Sequence, residues 1–165
     1  MLRSLPLGSG RMVMSNPERP LPQPSAHLSF DSVTLHLSEI VPGDSARGFV
    51  PYYHYRICVN GADVGHINLR VGDTEHVRFY AGHVGFEIAA PHRGHRYALQ
   101  ACRALAPFAR SISSEMILTC DPDNHASRRT IELLGATFVD EVAVPAHDPH
   151  FSRGSKTKQR FLWSP

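Results

Sequence analysis

Gly85-Phe86-Glu87-Ile88-Ala89-Ala90-Pro91-His92-Arg93-Gly94-His95-Arg96-Tyr97-Ala98 reads as a strand, a tight basic turn and the first turn of a helix. Such a junction brings unpaired backbone N–H groups and the positive end of a helix dipole to one point in space. That is a ready seat for a phosphate or pyrophosphate. Arg93, Arg96 and His95 add side-chain charge. By itself Arg-Gly-His-Arg is equally an ordinary solvated loop, so its weight depends on the rest of the chain.

The second telling segment is Leu118-Thr119-Cys120-Asp121-Pro122-Asp123-Asn124-His125-Ala126-Ser127, continuing through Ile131-Glu132 to Gly135-Ala136. Asp123 or Asn124 can cap the N-terminus of a helix that Gly135 ends as a residue just past the C-cap. Together the two segments resemble the GNAT superfamily of acyl-CoA-dependent N-acetyltransferases. In that family a motif Arg/Gln-x-x-Gly-x-Gly/Ala wraps the coenzyme A pyrophosphate, and an Asn opens a helix ending in a Leu-Gly-Phe-like turn. Arg93 and Ala98 match the first motif; Asn124, Ser127 and Gly135 match the second. The likeness runs from about residue 30 to 163. It is nearest to a bacterial branch that reads Gly-His-x-Gly-Phe/Tyr, the pyrophosphate turn, then Cys-Asp-x-x-Asn-x-x-Ser-x-x-x-Ile-Glu.

The resemblance implies an α+β fold, with a mixed and mostly antiparallel central sheet of about six to seven strands flanked by helices. It implies acetyl-CoA as co-substrate and transfer of its acetyl group to an amine. Backbone groups of Ile88, Ala89 and Ala90 would face the pantetheine arm. Amides of Arg93, Gly94, His95, Arg96, Tyr97 and Ala98 would hold the pyrophosphate. Asn124 and Ser127 would reach the pantetheine or reaction centre, although both residues also serve helix starts. On a period-2 strand His83, Gly85, Glu87 and Ala89 share one face, and Val84, Phe86 and Ile88 the other. Glu87 is the candidate general base, since relatives often place a carboxylate there; a solvated or salt-bridged Glu is the alternative. His83 is a relay candidate or a structural histidine.

Two positions depart from the family pattern. Arg96 stands where the motif has its middle glycine, and Ile131 stands where many relatives carry a Tyr to protonate the leaving thiolate. Helical dihedrals at Arg96 would tolerate a side chain, whose guanidinium can pair with phosphate. These departures keep open a non-catalytic coenzyme-A-binding or protein-interaction module. The acceptor, a small-molecule amine or a protein amine, is not specified by the sequence, and dimers common in the family leave a homodimer open.

A chain of 165 residues with 42% hydrophobic and 19% charged residues can bury one sizeable core. A net charge of +2, with basic residues scattered rather than striped, gives no support for a nucleic-acid partner. Cys58, Cys102 and Cys120 fit neither a disulfide framework nor metal spacing. Free thiols suit a reducing cytoplasm, and with no apolar run of membrane length no membrane partner is expected. His147-Asp148-Pro149-His150 is ligand-like, but a loop without further partners binds nothing specific, so no metal is expected.

Residues 1–27, rich in Pro and Ser, read as a flexible lead, and the folded domain as 28–165. Asn60-Gly61 between Tyr52–Val59 and Val64–Val71 is a hairpin signal, because a type I′ turn needs positive φ at both central positions. Ile67, Leu69 and Val71 should share one face, with His66, Asn68 and Arg70 on the other. Tyr52, Tyr53 and Tyr55 are candidates for groove or core. A short strand is expected at Val77–Tyr80, a strand at Gly82–Ala89, a helix after the basic turn that Pro107 kinks or ends, and strands at Met116–Cys120, Thr137–Val144 and Arg160–Trp163.

Overall fold

The computed structural model describes residues 20–24 and 27–165. Most of the Pro-rich lead lies outside the described residues. Within it, Leu21 packs partly against the core and the Pro22 carbonyl accepts a hydrogen bond from the Tyr53 hydroxyl.

Five strands form one antiparallel sheet in sequence order: β1 (Leu28–Phe30), β2 (Val33–Val41), β3 (Tyr52–Val59), β4 (Ala62–Arg70) and β5 (Val84–Ile88). The β3–β4 turn has Asn60 at φ 49° and Gly61 at φ 79°, as a type I′ turn requires. Strand β3 alternates, with Tyr53, Tyr55, Ile57 and Val59 buried and their neighbours half-buried. In β4, Ile67 and Leu69 are buried, while His66, Asn68 and Arg70 take the other face. Tyr53 and Tyr55 are therefore core, and Tyr52 lies on the polar face opposite Arg70.

The helix α1 (Tyr97–Ile112) follows the basic turn and leads to β6 (Met116–Cys120), α2 (His125–Leu133), β7 (Thr137–Ala143), α3 (Pro149–Ser152) and β8 (Thr157–Trp163). Strands β6, β8 and β7 make a second, antiparallel sheet in that order. Among the described residues eight strands lie in two sheets, flanked by helices, in the α+β class expected.

Helix α1 buries Leu99, Cys102, Leu105, Phe108 and Ala109 against the apolar face of the first sheet, with Phe108 edge-on to Tyr53 at 5.0 Å between ring centroids. Each large side chain so buried contributes about 1.5–3 kcal/mol. Its outer face is anchored where the Ser32 hydroxyl donates to Gln100 at 2.8 Å. Of the two outcomes expected at Pro107, an end to the helix does not occur, and α1 continues to Ile112. Pro107 and Arg103 both lie on its exposed face, so the carbonyl that a residue-107 N–H would have used is open to water.

The expected strand at Val77–Tyr80 is instead a π-helical turn, His76–Ala81. Val77, Tyr80 and Ala81 are its buried residues, a helical spacing rather than an alternating one. Two side chains from the second sheet hold its carbonyls: Thr119 donates to Tyr80 O at 2.8 Å, and Arg160 to Arg78 O at 3.2 Å.

Candidate functional site

Between β5 and β6 the ladder of hydrogen bonds stops. The two sheets are joined at His83, which is 2% exposed. Its backbone N–H donates to Ile117 O at 2.7 Å, and its ring Nδ1 accepts from Ile117 N at 2.8 Å. Because Nδ1 accepts, the ring proton resides on Nε2, which faces Asp73 Oδ1 at 3.2 Å. That hydrogen bond holds the Asp73 carboxyl below the usual range, against the opposing effect of burial. Next to the joint, a Cβ on Gly82 would come within 3.0 Å of Ile117 O. His83 is thus a structural fastener between the sheets, and its proton-relay role finds no support in this placement.

Beyond the joint, a cavity of about 500 Å³ lies against the end of β5. Its walls come from the end of β5 (Phe86, Glu87, Ile88), the basic turn and start of α1 (Arg93, Gly94, Arg96, Tyr97, Ala98) and one face of α2 (Asn124, Ser127, Arg129, Leu133). Segments about thirty residues apart in sequence are here brought to one space. Volumes of about 300–1,000 Å³ with few polar groups among apolar ones suit a small ligand or cofactor.

The turn is built to receive an anion. Gly94 (φ 89°) and Arg96 (φ 59°) are both left-handed, which bends the backbone so that successive amides point outward. Arg96 is the N-cap of α1 and makes no capping bond. Among the described residues, the amides of 94–99 donate to no protein acceptor; the first that does is Gln100 N, to Arg96 O at 3.1 Å. Helix α2 contrasts with this, since Asn124 Oδ1 accepts from Ser127 N at 3.1 Å. One helix is closed by its own side chain; the other is left open to the cavity.

Arg93 fixes the turn to the strand by donating through Nε to Ile88 O at 2.9 Å. Arg93, Arg96 and Arg129 give the walls three guanidinium groups, and among the described residues only Arg129 has a carboxylate within 4.0 Å, Glu132 at 3.9 Å. Arg129 was not among the residues singled out in the sequence. It lies in the second turn of α2, two residues past Ser127.

The helical dihedrals expected at Arg96 do not occur. Its φ 59°, ψ 28° is the left-handed region, where a glycine is unstrained and an arginine is not. The motif glycine is therefore a conformational requirement that this chain meets with a strained residue.

Ala89, Ala90 and His95 are not on the cavity wall. The Ala89 N–H donates to Val64 O at 2.9 Å, and Ala89 O and Ala90 O accept from His92 and Arg93 within a 3₁₀ turn. His95 stacks on Tyr97 at 5.2 Å. Gly65 allows this close approach of β4 to β5, since any Cβ there would overlap the Glu87 carbonyl oxygen.

Glu87 stands exposed on the polar face of β5, paired in register with His66 of β4. His66 lies 5.3 Å from the ring of His54, whose Nδ1 is 2.6 Å from Asn68 Oδ1. Burial pushes the His66 ring below the usual imidazole range and the neighbouring His54 adds to this, while Glu87 pulls the other way. Alternation in β4 placed His66 on the polar face, but only strand pairing shows that it faces Glu87.

Ile131 is 1% exposed in the core and supplies no proton donor. Burial pushes the Cys102 thiol up to about 12 and Cys120 to about 11. No described helix is long and apolar enough to cross a membrane.

A family model described as an acetyltransferase (GNAT) domain matches residues 11–137. Comparison with curated proteins finds no sequence match. Among solved structures, an acetyltransferase of the GNAT family from Streptococcus pneumoniae superposes with a TM-score of 0.54 at 14% identity, covering 68% of this chain and 66% of that one. The microcin self-immunity acetyltransferase MccE, solved with acetyl-CoA and AMP, gives 0.52 at 12% identity, covering 69% and 61%. A Salmonella typhimurium acetyltransferase, described as modifying the N-terminal serine of a 50S ribosomal subunit protein, gives 0.53 at 14%, covering 69% and 64%. The chain spans less than two thirds of the length of each, and the likeness is one of fold.

Proposed function

The chain belongs to the GNAT family of acetyltransferases, and on that premise we propose that it moves an acetyl group from acetyl-CoA to an amine by direct attack in a ternary complex. The observation that carries this reading is the uncapped start of α1, whose free amides at 94–99 meet Arg93, Arg96 and Arg129 at one cavity. Coenzyme A is rich in phosphate charge, and a helix N-terminus with convergent guanidinium groups is complementary to it. The pantetheine arm then runs along the free edge of β5 past Ile88, toward the joint at His83. Asn124 and Ser127 border that path from α2.

The amine nitrogen attacks the thioester carbonyl, its proton passes to Glu87, the C–S bond breaks, and the thiolate takes a proton from water. His66, paired across from Glu87 in the strand register and held below the usual imidazole range, can share that proton. Direct attack is favoured over an acyl-enzyme because Cys102 and Cys120 are buried thiols held far from ionisation. The acceptor is an amine of a small molecule or of a protein, and the setting is the cytoplasm.

Free thiol released from acetyl-CoA in the presence of an amine panel tests the proposal. The burial of Ile131 and the strain at Arg96 favour a second reading, a coenzyme-A-binding module without turnover. Coenzyme A raising the melting temperature with no thiol release from any amine would decide for that reading.

A further inference from the structure

A second cavity, of about 330 Å³, opens where residues 47–49, 74–80 and 147–149 meet, well apart in sequence from the walls of the first. His76 and Asp148 line one side of it, and His150 is bonded to Asp148. The ligand-like loop read in the sequence lacked partners; the fold supplies one, carrying His76 on the π-helical turn to meet α3 and its N-cap. His76 Nδ1 lies 2.6 Å from Asp148 Oδ2, and His150 Nδ1 lies 2.9 Å from Asp148 Oδ1. One ligand atom from each residue falls within 4.8 Å of the other two.

Asp148 is 5% exposed, and its ion-pair partners among the described residues are these two imidazoles, although Arg47 borders the same cavity and Lys158 acts on His150. Neutral imidazoles donate hydrogen bonds to a carboxylate but do not cancel its charge. A cation among the three groups would.

We infer that His76, Asp148 and His150 form a binding site for a divalent transition metal of the zinc class. Two imidazoles and one carboxylate are the donor set such ions take, in preference to the all-oxygen sets of calcium or magnesium. Bonds of about 2.0–2.1 Å place tetrahedral ligand atoms about 3.3 Å apart. The two hydrogen-bonded spacings, 2.6 Å to Oδ2 and 2.9 Å to Oδ1, would open by a few tenths of an ångström, and the widest spacing in the cluster, within 4.8 Å, would close. For each ring to offer a lone pair at Nδ1, its proton shifts to Nε2, so a neutral imidazole releases none. Glu75 and His147 border the same cavity, and one of them or a water completes the shell. The ion would clamp the β7–β8 loop to the π-helical turn.

The test is Co²⁺ and Zn²⁺ uptake by the full chain after treatment with a chelator. Expected are one equivalent of Co²⁺ with the visible absorption of a four- or five-coordinate site, and a melting temperature raised by Zn²⁺ and lowered again by EDTA. His76→Ala and His150→Gln should each weaken binding by about a hundredfold, whereas exposed His36→Ala should not. Absence of stoichiometric uptake at micromolar metal by the native chain overturns the inference, as does uptake undiminished in folded His76→Ala. Should His76→Ala not fold, the native-chain titration together with His150→Gln decides.

Discussion

Replacing Arg96 by glycine isolates the strain at the mouth of the coenzyme cavity. A non-glycine residue in the left-handed region is disfavoured by about 1–2 kcal/mol, and Arg96 sits there at φ 59°, ψ 28° with no side-chain hydrogen bond to offset it. Glycine removes that term but loses about 0.5–1 kcal/mol through the freer unfolded chain. The net expectation is a gain of about 0.5–1 kcal/mol, or about 1–4 °C in melting temperature for a domain of this size. Arg96→Ala keeps the strained Cβ and removes only the guanidinium, so it should not gain. Thermal melts of the three proteins separate backbone from charge. Calorimetric titration with coenzyme A then reads the guanidinium, because loss of a charge-assisted contact lowers affinity by about tenfold or more in both variants. If Arg96→Gly is no more stable than Arg96→Ala, the strain argument is wrong. If both bind coenzyme A as the parent does, Arg96 is not a phosphate ligand.

His83→Ala leaves the Ile117 amide and the Asp73 carboxylate without partners and opens a void, so urea denaturation should show a loss of about 2–4 kcal/mol; a loss below about 1 kcal/mol would mean the sheets are joined by something else. Glu87→Gln should lower kcat with little change in acetyl-CoA affinity, and an equal fall in both would remove Glu87 from the base role. The acid side carries a signature of His66. Its folded pKa is depressed, chiefly by burial, so it contributes stability above the unfolded imidazole value of about 6.5 that is lost as pH falls through the folded value; the fall in unfolding free energy from pH 7 to 5 should flatten in His66→Gln. Alkylation of the native chain at pH 8 should leave Cys102 and Cys120 unmodified, with both labelled in denaturant; mass spectrometry finding either tagged in the native state would contradict their burial.

What the sequence disclosed was local. Asn60-Gly61 announced its turn because two positive φ angles in succession admit few residues, and Asn124 and Gly135 marked the ends of α2 through bonds made within four residues. The basic turn was legible for the same reason. Other features depend on what lies across space. Val77–Tyr80 has the apolar content of a strand, but carbonyl bonds from Thr119 and Arg160 select a π-helical turn. Pro107 is tolerated because its face of α1 meets solvent, which no periodicity reveals at a single position. The handedness of Arg96 was hidden because arginine gives no hint of the left-handed region. His66 facing Glu87, Arg129 entering the cavity and His76 meeting Asp148 all required the strands and loops to be assembled first.

Among the described residues His83 carries the one backbone hydrogen bond between the two sheets, whose buried side chains otherwise share one core with α1. Amide exchange in β6, β7 and β8 can then proceed by detachment of that half while β1–β5 stay protected, at a free energy below that of global unfolding. A molecule lodged in the cavity touches β5 of the first sheet and α2, which leads into β7 of the second, so occupancy would be felt as rigidity across the domain.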